Sequence, residues 1–266
     1  MPAASGRPAE RPGTVLVVLR SLIDDGEVRP WPRPDAEVRW GVGAAVACFF
    51  AAQILAGLWA GALAGSLYGT DGLPDLADRP LWTLPALSAG LWAGYLFGPG
   101  LVNRLTRSGP MVDFDLRVSP GQAVGAALLG VGTQLLVLPI VYWFVGFFVS
   151  DDPGDTARTL VDRADSPIGV GLLVLSVVVM APLAEEWFYR GMLLSSLVRR
   201  IGPVGGAVAS SAVFALIHLE PILFPGLFVF ALFLAWLTVR TGRVGVAVVA
   251  HLAFNATTVV QLLATS

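Results

Sequence analysis

A small set of polar residues lies within the long apolar stretches of this sequence, where ionisable side chains are rare. The set is Glu185, Glu186, Arg190, His218, His251 and Asn255. The chain contains only two histidines, and both belong to this set. An ionisable side chain inside a bilayer costs several kcal/mol unless it is paired or hydrated, so such residues usually mark a functional site. The set is therefore the first candidate for chemistry in this chain.

The two glutamates are expected to have different roles. Glu186 and Arg190 are four residues apart, with the acid on the amino-terminal side, which is the favourable order for an ion pair along a helix. Glu185 is turned about 100° away from Glu186 on the same helix. We therefore predict that Arg190 neutralises Glu186, while Glu185 is free to face a cavity.

Two further pairs have the same spacing. His251 and Asn255 are four residues apart and share a helix face, as do Phe214 and His218. At a rise of about 1.5 Å per residue, Glu185, His218, His251 and Asn255 could meet within one buried layer. Phe214 is predicted to support the site by packing.

These residue types are suited to hydrolysis. A carboxylate and a histidine beside a water molecule can deprotonate that water for attack on a carbonyl, which fits Glu185 and His218. His251 and Asn255 could donate hydrogen bonds to the oxyanion, contacts worth roughly 3 to 4 kcal/mol each in other hydrolases. Alternatively, Glu185, His218 and His251 supply the ligand types of a catalytic divalent metal, with zinc the first candidate. The residues leave both the metal-dependent and the metal-free route open.

Other familiar catalytic motifs are missing from the sequence. There is no H-E-x-x-H pair and no G-x-S-x-G motif, which argues against zinc proteases with both histidines on one helix and against serine hydrolases of that type. Ser195 and Ser196 are interpreted as small residues at a helix interface. No glycine-rich phosphate loop occurs, so nucleotide chemistry and nucleic-acid partners are not expected.

The composition indicates that most of the chain is surrounded by lipid. Hydrophobic residues make up 55% of it and charged residues only 14%, against about 25% charged residues in soluble domains. Its single cysteine, Cys48, lies inside an apolar stretch, so a disulfide framework is excluded. All 17 basic residues are arginine, which is typical of a GC-rich bacterial genome.

The apolar stretches predict an all-α, polytopic bundle of about seven transmembrane helices. A span needs about 20 mostly apolar residues, and the candidates are Gly41–Leu67, Leu81–Leu101, Gly121–Val149, Ile168–Leu197, Val204–Leu219, Ile222–Val239 and Val244–Ala264. Pro182 could kink or break the fourth stretch and create an eighth element. We divide the chain into a polar tail (1–40), three spans (41–167) and a catalytic helical core (168–266).

Arginine placement predicts the orientation of the bundle in the membrane. The polar tail and every second connection together hold thirteen arginines, whereas the other connections are net acidic. Arginine collects in cytoplasmic connections, so the amino terminus is predicted to be cytoplasmic and the carboxyl terminus outside. Val15–Leu19 is too short for a span, and the tail does not have the pattern of a signal peptide.

Three motifs in the second half of the chain carry a family resemblance. The pattern Glu185-Glu186-Trp-Phe-Tyr-Arg190-Gly191, followed by Phe214-x-x-x-His218 and then His251-x-x-x-Asn255, resembles the CPBP family of intramembrane proteases. This family is also called the abortive-infection or type II CAAX prenyl protease family. The likeness covers about Ile168 to Ala264, and residues 1 to 167 match nothing.

The resemblance implies an intramembrane endopeptidase acting on membrane-associated or lipidated peptides. It implies that Glu185 and His218 act on the catalytic water and that His251 and Asn255 form the oxyanion site. It leaves metal dependence open. A non-proteolytic immunity or scaffold protein and, less favoured, a transporter are the alternatives; an internal repeat would favour a transporter, and none is seen. Trp187, Phe188 and Tyr189 are expected to face lipid or the membrane interface.

Overall fold

The computed structural model describes residues 31–32, 38–69, 72–149 and 152–265. Most of the predicted polar tail, including Val15–Leu19, lies outside this range. Within it, the chain is helical and contains no β-strand, which confirms the predicted all-α class.

In the described part of the chain, seven helical stretches form the bundle. They are α1 (Val42–Tyr68), α2 (Thr83–Leu105), α3 (Pro120–Val145), α4 (Asp155–Asp162), α5 (Pro167–Leu216), α6 (Phe224–Thr241) and α7 (Val244–Leu263). Short 3-10 turns occupy Leu76–Asp78 and Val112–Phe114. Helix α3 contains a π-helical segment at Thr133–Val137, and α5 contains two, at Val174–Met180 and Trp187–Leu194.

Helix α5 is divided by a sharp turn at Gly202. This residue has φ 79° and ψ 170°, a backbone conformation that glycine adopts without steric cost, and Pro203 then begins the next helical turn. After this turn, residues 203–216 pack back against residues 167–201. The two parts approach closely at Gly206, where a Cβ would lie 2.7 Å from Cγ2 of Val198. We call these two parts α5a (167–201) and α5b (203–216).

The predicted number of spans is not confirmed. Each of the seven predicted stretches coincides with a helix, but in the described part of the chain only five stretches are long and apolar enough to cross a membrane. Helix α2 is not among the five, because its glycine and proline residues make it less apolar than the others. The fourth and fifth predicted spans both lie in α5, which is a single stretch of 50 residues. The chain does not break at Pro182, where the helix continues through the π-helical segment before it.

The arginine-bearing connections gather at one end of the bundle. Arg199 pairs with Asp113 and lies 5.5 Å from the ring centroid of Trp40. In the same region, the backbone N–H of Gly245 donates to the carbonyl oxygen of Asp115 at 3.0 Å. The connection between α2 and α3 therefore bridges the ends of α5a and α7.

The acidic connections meet at the opposite end. Arg163 donates to the carbonyl oxygen of Arg79, and Thr156 on α4 donates to Glu220. The two classes of connection are thus separated along the bundle, as the arginine pattern predicts. The assignment of the arginine-rich end to the cytoplasm stays a prediction.

Small residues allow the helices to approach closely, as is usual in membrane bundles. A Cβ on Gly94 of α2 would lie 2.6 Å from Cβ of Ala52 on α1. A Cβ on Gly130 of α3 would lie 2.2 Å from the carbonyl oxygen of Ala250 on α7. The second contact is directly before His251, so α3 fixes the position of that part of α7.

Candidate active site

Both glutamates lie in the short α-helical segment Ala181–Glu186, between the two π-helical segments of α5a. Such π-helical turns occur often at functional sites, where they reposition the side chains of a helix. His218 lies just after the last turn of α5b, and His251 and Asn255 lie on α7. The site is therefore assembled from α5a, α5b and α7.

A buried ion pair lies at the centre of the site. Nε of Arg190 is 3.0 Å from Oε2 of Glu186, and both side chains are 0% exposed. Arg190 also donates from Nη2 to the carbonyl oxygen of Ala231 on α6 at 3.3 Å and stacks on the Phe214 ring at 5.1 Å. The pairing predicted from the four-residue spacing is thus present.

The second oxygen of Glu186 fixes the ring of His251. Nδ1 of His251 lies 2.9 Å from Oε1 of Glu186. A carboxylate can only accept a hydrogen bond, so Nδ1 carries the hydrogen. Nε2 of His251 then points to the other glutamate, 4.0 Å from Oε2 of Glu185.

Glu185 is the more accessible of the two carboxylates. Its side chain is 19% exposed, while that of Glu186 is 0% exposed. The neutralisation of Glu186 is as predicted, and the cavity-facing role of Glu185 stays a prediction.

His218 is oriented by the residue four positions before it. Its Nδ1 lies 2.8 Å from the carbonyl oxygen of Phe214, so Nδ1 donates and Nε2 is left as the basic nitrogen. The Phe214 ring contacts both histidine rings, with centroid distances of 5.0 Å to His218 and 6.2 Å to His251. Phe214 is therefore the packing element that holds the two imidazoles in one place.

Asn255 connects α7 to α5a. Its Nδ2 donates to the carbonyl oxygen of Val177 at 2.7 Å, in the first π-helical segment. An amide nitrogen has two hydrogens, so one remains for another acceptor. Asn255 also lines a cavity of about 700 Å³ that extends toward the end of the bundle carrying α4.

The residues present do not form a complete metal site. In the described part of the chain, no three His, Cys, Asp or Glu side chains lie close enough together to hold a metal ion. Glu185, His218 and His251 do not form such a group in this arrangement, and zinc binding by these three residues stays a prediction.

The prediction that Trp187, Phe188 and Tyr189 face lipid or the membrane interface is wrong for Phe188 and Tyr189. Phe188 and Tyr189 are fully buried, and Phe188 stacks on Tyr95 of α2 at 4.7 Å. Trp187 is partly buried and lies 4.8 Å from Phe114. The reason is that α5a is covered by α1, α2 and the α2–α3 connection, so this part of it has no lipid-facing side.

Residues before 167 contribute contacts that the sequence did not predict. Oη of Tyr95 lies 2.9 Å from Oη of Tyr189, and Gln53 donates to Tyr95 at 3.0 Å. Phe114 packs over Gly191, where a Cβ would meet its ring at 2.4 Å. The sequence could have indicated only Gln53 and Tyr95, which are polar residues within apolar stretches.

A comparison with family models identifies the segment that carries the site. Residues 167–257 match the family described as type II CAAX prenyl endopeptidase Rce1-like. No curated protein and no solved structure matches the chain. The matched segment contains all the residues predicted to be catalytic or supporting. Residues 167–257 of this multi-pass membrane protein are thus similar to the Rce1-like type II CAAX prenyl endopeptidases, and the predicted resemblance to the CPBP family is confirmed.

Proposed function

We propose that this protein is an intramembrane endopeptidase that hydrolyses a peptide bond in a membrane-associated or lipidated substrate. The observation that carries the proposal is the accessible carboxylate of Glu185, which lies 4.0 Å from Nε2 of His251 within the segment that matches a protease family. Water that reaches this carboxylate would meet a base beside an imidazole, in surroundings where bulk solvent is scarce.

The first step is activation of water. Glu185 takes one proton from the water, and the basic Nε2 of His218 accepts a hydrogen bond from the same water and orients it. The hydroxide then adds to the carbonyl carbon of the scissile bond. Glu185 next transfers its proton to the nitrogen of the leaving amine as the C–N bond breaks.

The oxyanion formed in this step needs donors. The second hydrogen on Nδ2 of Asn255 is one donor, since the first is used by Val177. His251 is the other donor when it enters the reaction as an imidazolium: Nδ1–H is held by Glu186, and Nε2, 4.0 Å from Oε2 of Glu185, carries a proton taken up from solvent before the substrate reacts. An amide donor that is held in advance, like that of Asn255, stabilises charge in the transition state without reorganisation of the site.

Cleavage of a lipidated peptide tests this proposal. The purified protein in detergent or nanodiscs is mixed with a quenched fluorescent peptide that carries a prenylated cysteine near its carboxyl end. We expect cleavage by the wild-type chain and its loss in Glu185→Gln and His218→Ala. The matched control is Glu220→Gln, a carboxylate two residues after His218 that bonds Thr156 instead.

Two results would contradict parts of the proposal. If His218→Ala still cleaves the peptide, His218 takes no part in the reaction. If a folded Glu185→Ala protein supports the same cellular phenotype as the wild-type protein, the protein acts as a non-proteolytic scaffold or immunity factor.

Metal dependence is tested on the same assay. We propose the metal-free route, since the three candidate ligands do not form a ligand group. Activity should then persist after treatment with 1,10-phenanthroline, with no stoichiometric zinc in the purified protein. Loss of activity that zinc restores would instead assign Glu185, His218 and His251 as metal ligands.

A further inference from the structure

A second cavity lies at the end of the bundle that carries the acidic connections, between the starts of α2 and α5. Its volume is about 460 Å³, and none of the candidate site residues lines it. Two arginines line it, Arg79 after the first 3-10 turn and Arg163 after α4. Trp82, directly before α2, and Ile168, in the first turn of α5, line it as well. The proposed hydrolysis uses none of these four residues.

Backbone carbonyls hold the two guanidinium groups in place. Nε of Arg79 donates to the carbonyl oxygen of Pro74 at 2.6 Å, and Nη2 of Arg163 donates to the carbonyl oxygen of Arg79. Among the described residues, both Nη atoms of Arg79 and Nη1 of Arg163 have no hydrogen-bond partner. Each of these nitrogens carries hydrogens, so both arginines can still donate to a ligand.

In the described part of the chain, no carboxylate pairs with either arginine of this cavity. Asp165 lines the same cavity but forms no ion pair with Arg79 or Arg163, so two arginines and one aspartate give the lining a net charge of +1. Burial and the charge of Arg79 both lower the pKa of Arg163, as expected for neighbouring like charges. An anion bound in the cavity would offset this repulsion.

A third arginine at the same end is paired with carboxylates. Arg158 on α4 forms ion pairs with Asp152 and Asp155. Carboxylates are thus within reach of an arginine in this region, and Arg79 and Arg163 differ from Arg158 in lacking them. Arg158 is therefore a matched control for the other two.

The surroundings of the cavity are those of a membrane interface. Trp82 and Ile168 are exposed, as is Leu175 about two turns further along α5. Tryptophan is typical of the level of lipid headgroups, and exposed apolar side chains deeper in a spanning helix face the acyl chains. A headgroup at the level of Trp82 would have its phosphate beside Arg79 and Arg163.

We infer that this cavity binds the phosphate group of an anionic phospholipid, whose acyl chains lie along Trp82 and the exposed face of α5. The free N–H groups of Arg79 and Arg163 donate to the phosphate oxygens, and such charge-assisted hydrogen bonds are stronger than neutral ones. The net positive charge of the lining favours an anionic headgroup over a neutral one. The bound lipid connects the start of α2 to the start of α5.

Native mass spectrometry of the full-length protein, purified in detergent, tests this inference. Dioctanoyl phosphatidylglycerol is added over a range of concentrations, and the fraction of protein with one bound lipid gives the Kd. We expect Arg79→Gln and Arg163→Gln each to raise the Kd about tenfold, the effect of one hydrogen bond to a charged group. Arg158→Gln should bind the lipid with the wild-type Kd, because its own partners are carboxylates.

Two further ligands identify the part of the lipid that is recognised. Dioctanoylglycerol has the same chains and no phosphate, and should bind about tenfold more weakly or worse. Inorganic phosphate at the concentration of the lipid should not displace it. Equal binding of dioctanoylglycerol would mean that the cavity is only an apolar groove, and displacement by phosphate would mean that it is a site for a free anion. Either result overturns the inference.

The variants can overturn the inference as well. Wild-type Kd values in Arg79→Gln and Arg163→Gln would exclude the two arginines as ligands of the lipid. Equal weakening in Arg158→Gln would mean that the lipid responds to the total charge of this end and not to the cavity. If Arg163→Gln does not fold, Arg79→Gln decides, since the Arg79 side chain bonds only to Pro74 among the described residues.

Discussion

Residues 167–257 and residues 42–145 build one bundle, but their buried polar side chains differ in kind. In the carboxy-terminal segment they include a cluster of ionisable groups within the helices, with Glu186 held between Arg190 and His251. In the amino-terminal segment they are mostly neutral: Gln53 and Tyr95 bond to each other. Among the described residues, the buried charged groups within the transmembrane helices therefore lie in the segment that matches a protease family, whereas Asp113 and Asp115 lie in the α2–α3 connection.

The amino-terminal segment instead closes the space around those charges. Phe114 covers Gly191, and Gly130 lets α3 contact the α7 backbone just before His251. Neutral donors and small residues can do this in lipid at a lower cost than charges. The proposed chemistry and its structural support thus come from different parts of the chain, and each can be perturbed separately.

The largest effect is expected within the carboxy-terminal segment. Arg190→Leu leaves Glu186 buried and without its cation, which should lower the free energy of unfolding by about 3 to 5 kcal/mol. The measurement is unfolding of the purified protein in mixed micelles by a denaturing detergent.

A double variant serves as the control for Arg190. Glu186→Gln together with Arg190→Leu removes both charges, while the glutamine oxygen can still accept from His251. Much of the lost stability should return. A double variant as unstable as Arg190→Leu would show that the guanidinium matters for packing and not for charge balance.

A smaller effect is expected where the two segments touch through backbone. In Gly130→Ala, the new methyl group would lie 2.2 Å from the carbonyl oxygen of Ala250, which cannot move without α7. We expect a loss of roughly 2 to 3 kcal/mol and reduced cleavage, because His251 is displaced.

Gly132→Ala is the matched control for Gly130, on the same helix with nothing within 4 Å of the added Cβ. It should be neutral or slightly stabilising, since alanine favours a helix. Equal effects of the two variants would show that the close α3–α7 contact does not explain the loss of stability in Gly130→Ala.

The next prediction concerns Phe114, which packs over Gly191 on the helix that carries Glu185 and Glu186. Gly191→Ala would place a methyl group 2.4 Å from the Phe114 ring, and a side chain can adjust more easily than backbone. The expected loss is about 1 to 2 kcal/mol. Adding Phe114→Leu should recover part of it, while Gly171→Ala on the same helix, with open space around its Cβ, should cost little.

Particular residues show how far the sequence could predict this arrangement. The Glu186–Arg190 pair follows from a local spacing, and the helix positions follow from runs of apolar residues. The Tyr95–Tyr189 contact joins residues 94 positions apart, which no local pattern encodes. Pro182 suggested a break because proline removes a helical hydrogen bond, but neighbouring π-helical turns accommodate it and the chain turns at Gly202 instead.

The smallest effect is expected at the connection that joins the segments outside the helices. Burial raises the pKa of the Asp115 carboxyl, but hydrogen bonds from Arg117 and the charges of Arg117 and Arg243 outweigh it, so the pKa is lowered. The resulting stabilisation is complete above the unfolded pKa of about 3.9 and is lost as pH falls through the lower folded pKa.

Asp115→Asn should therefore lower stability at neutral pH by at most about 1 kcal/mol, because Arg117 is largely exposed and its charge is screened. The difference between wild type and variant should shrink as the pH is lowered below about 4 in thermal unfolding. Asp78→Asn, at an exposed carboxylate at the opposite end, is the control for the loss of one surface charge. A difference for Asp115→Asn that is independent of pH would mean that the side chain acts through packing, and that charge does not help the amino-terminal segment to hold α7.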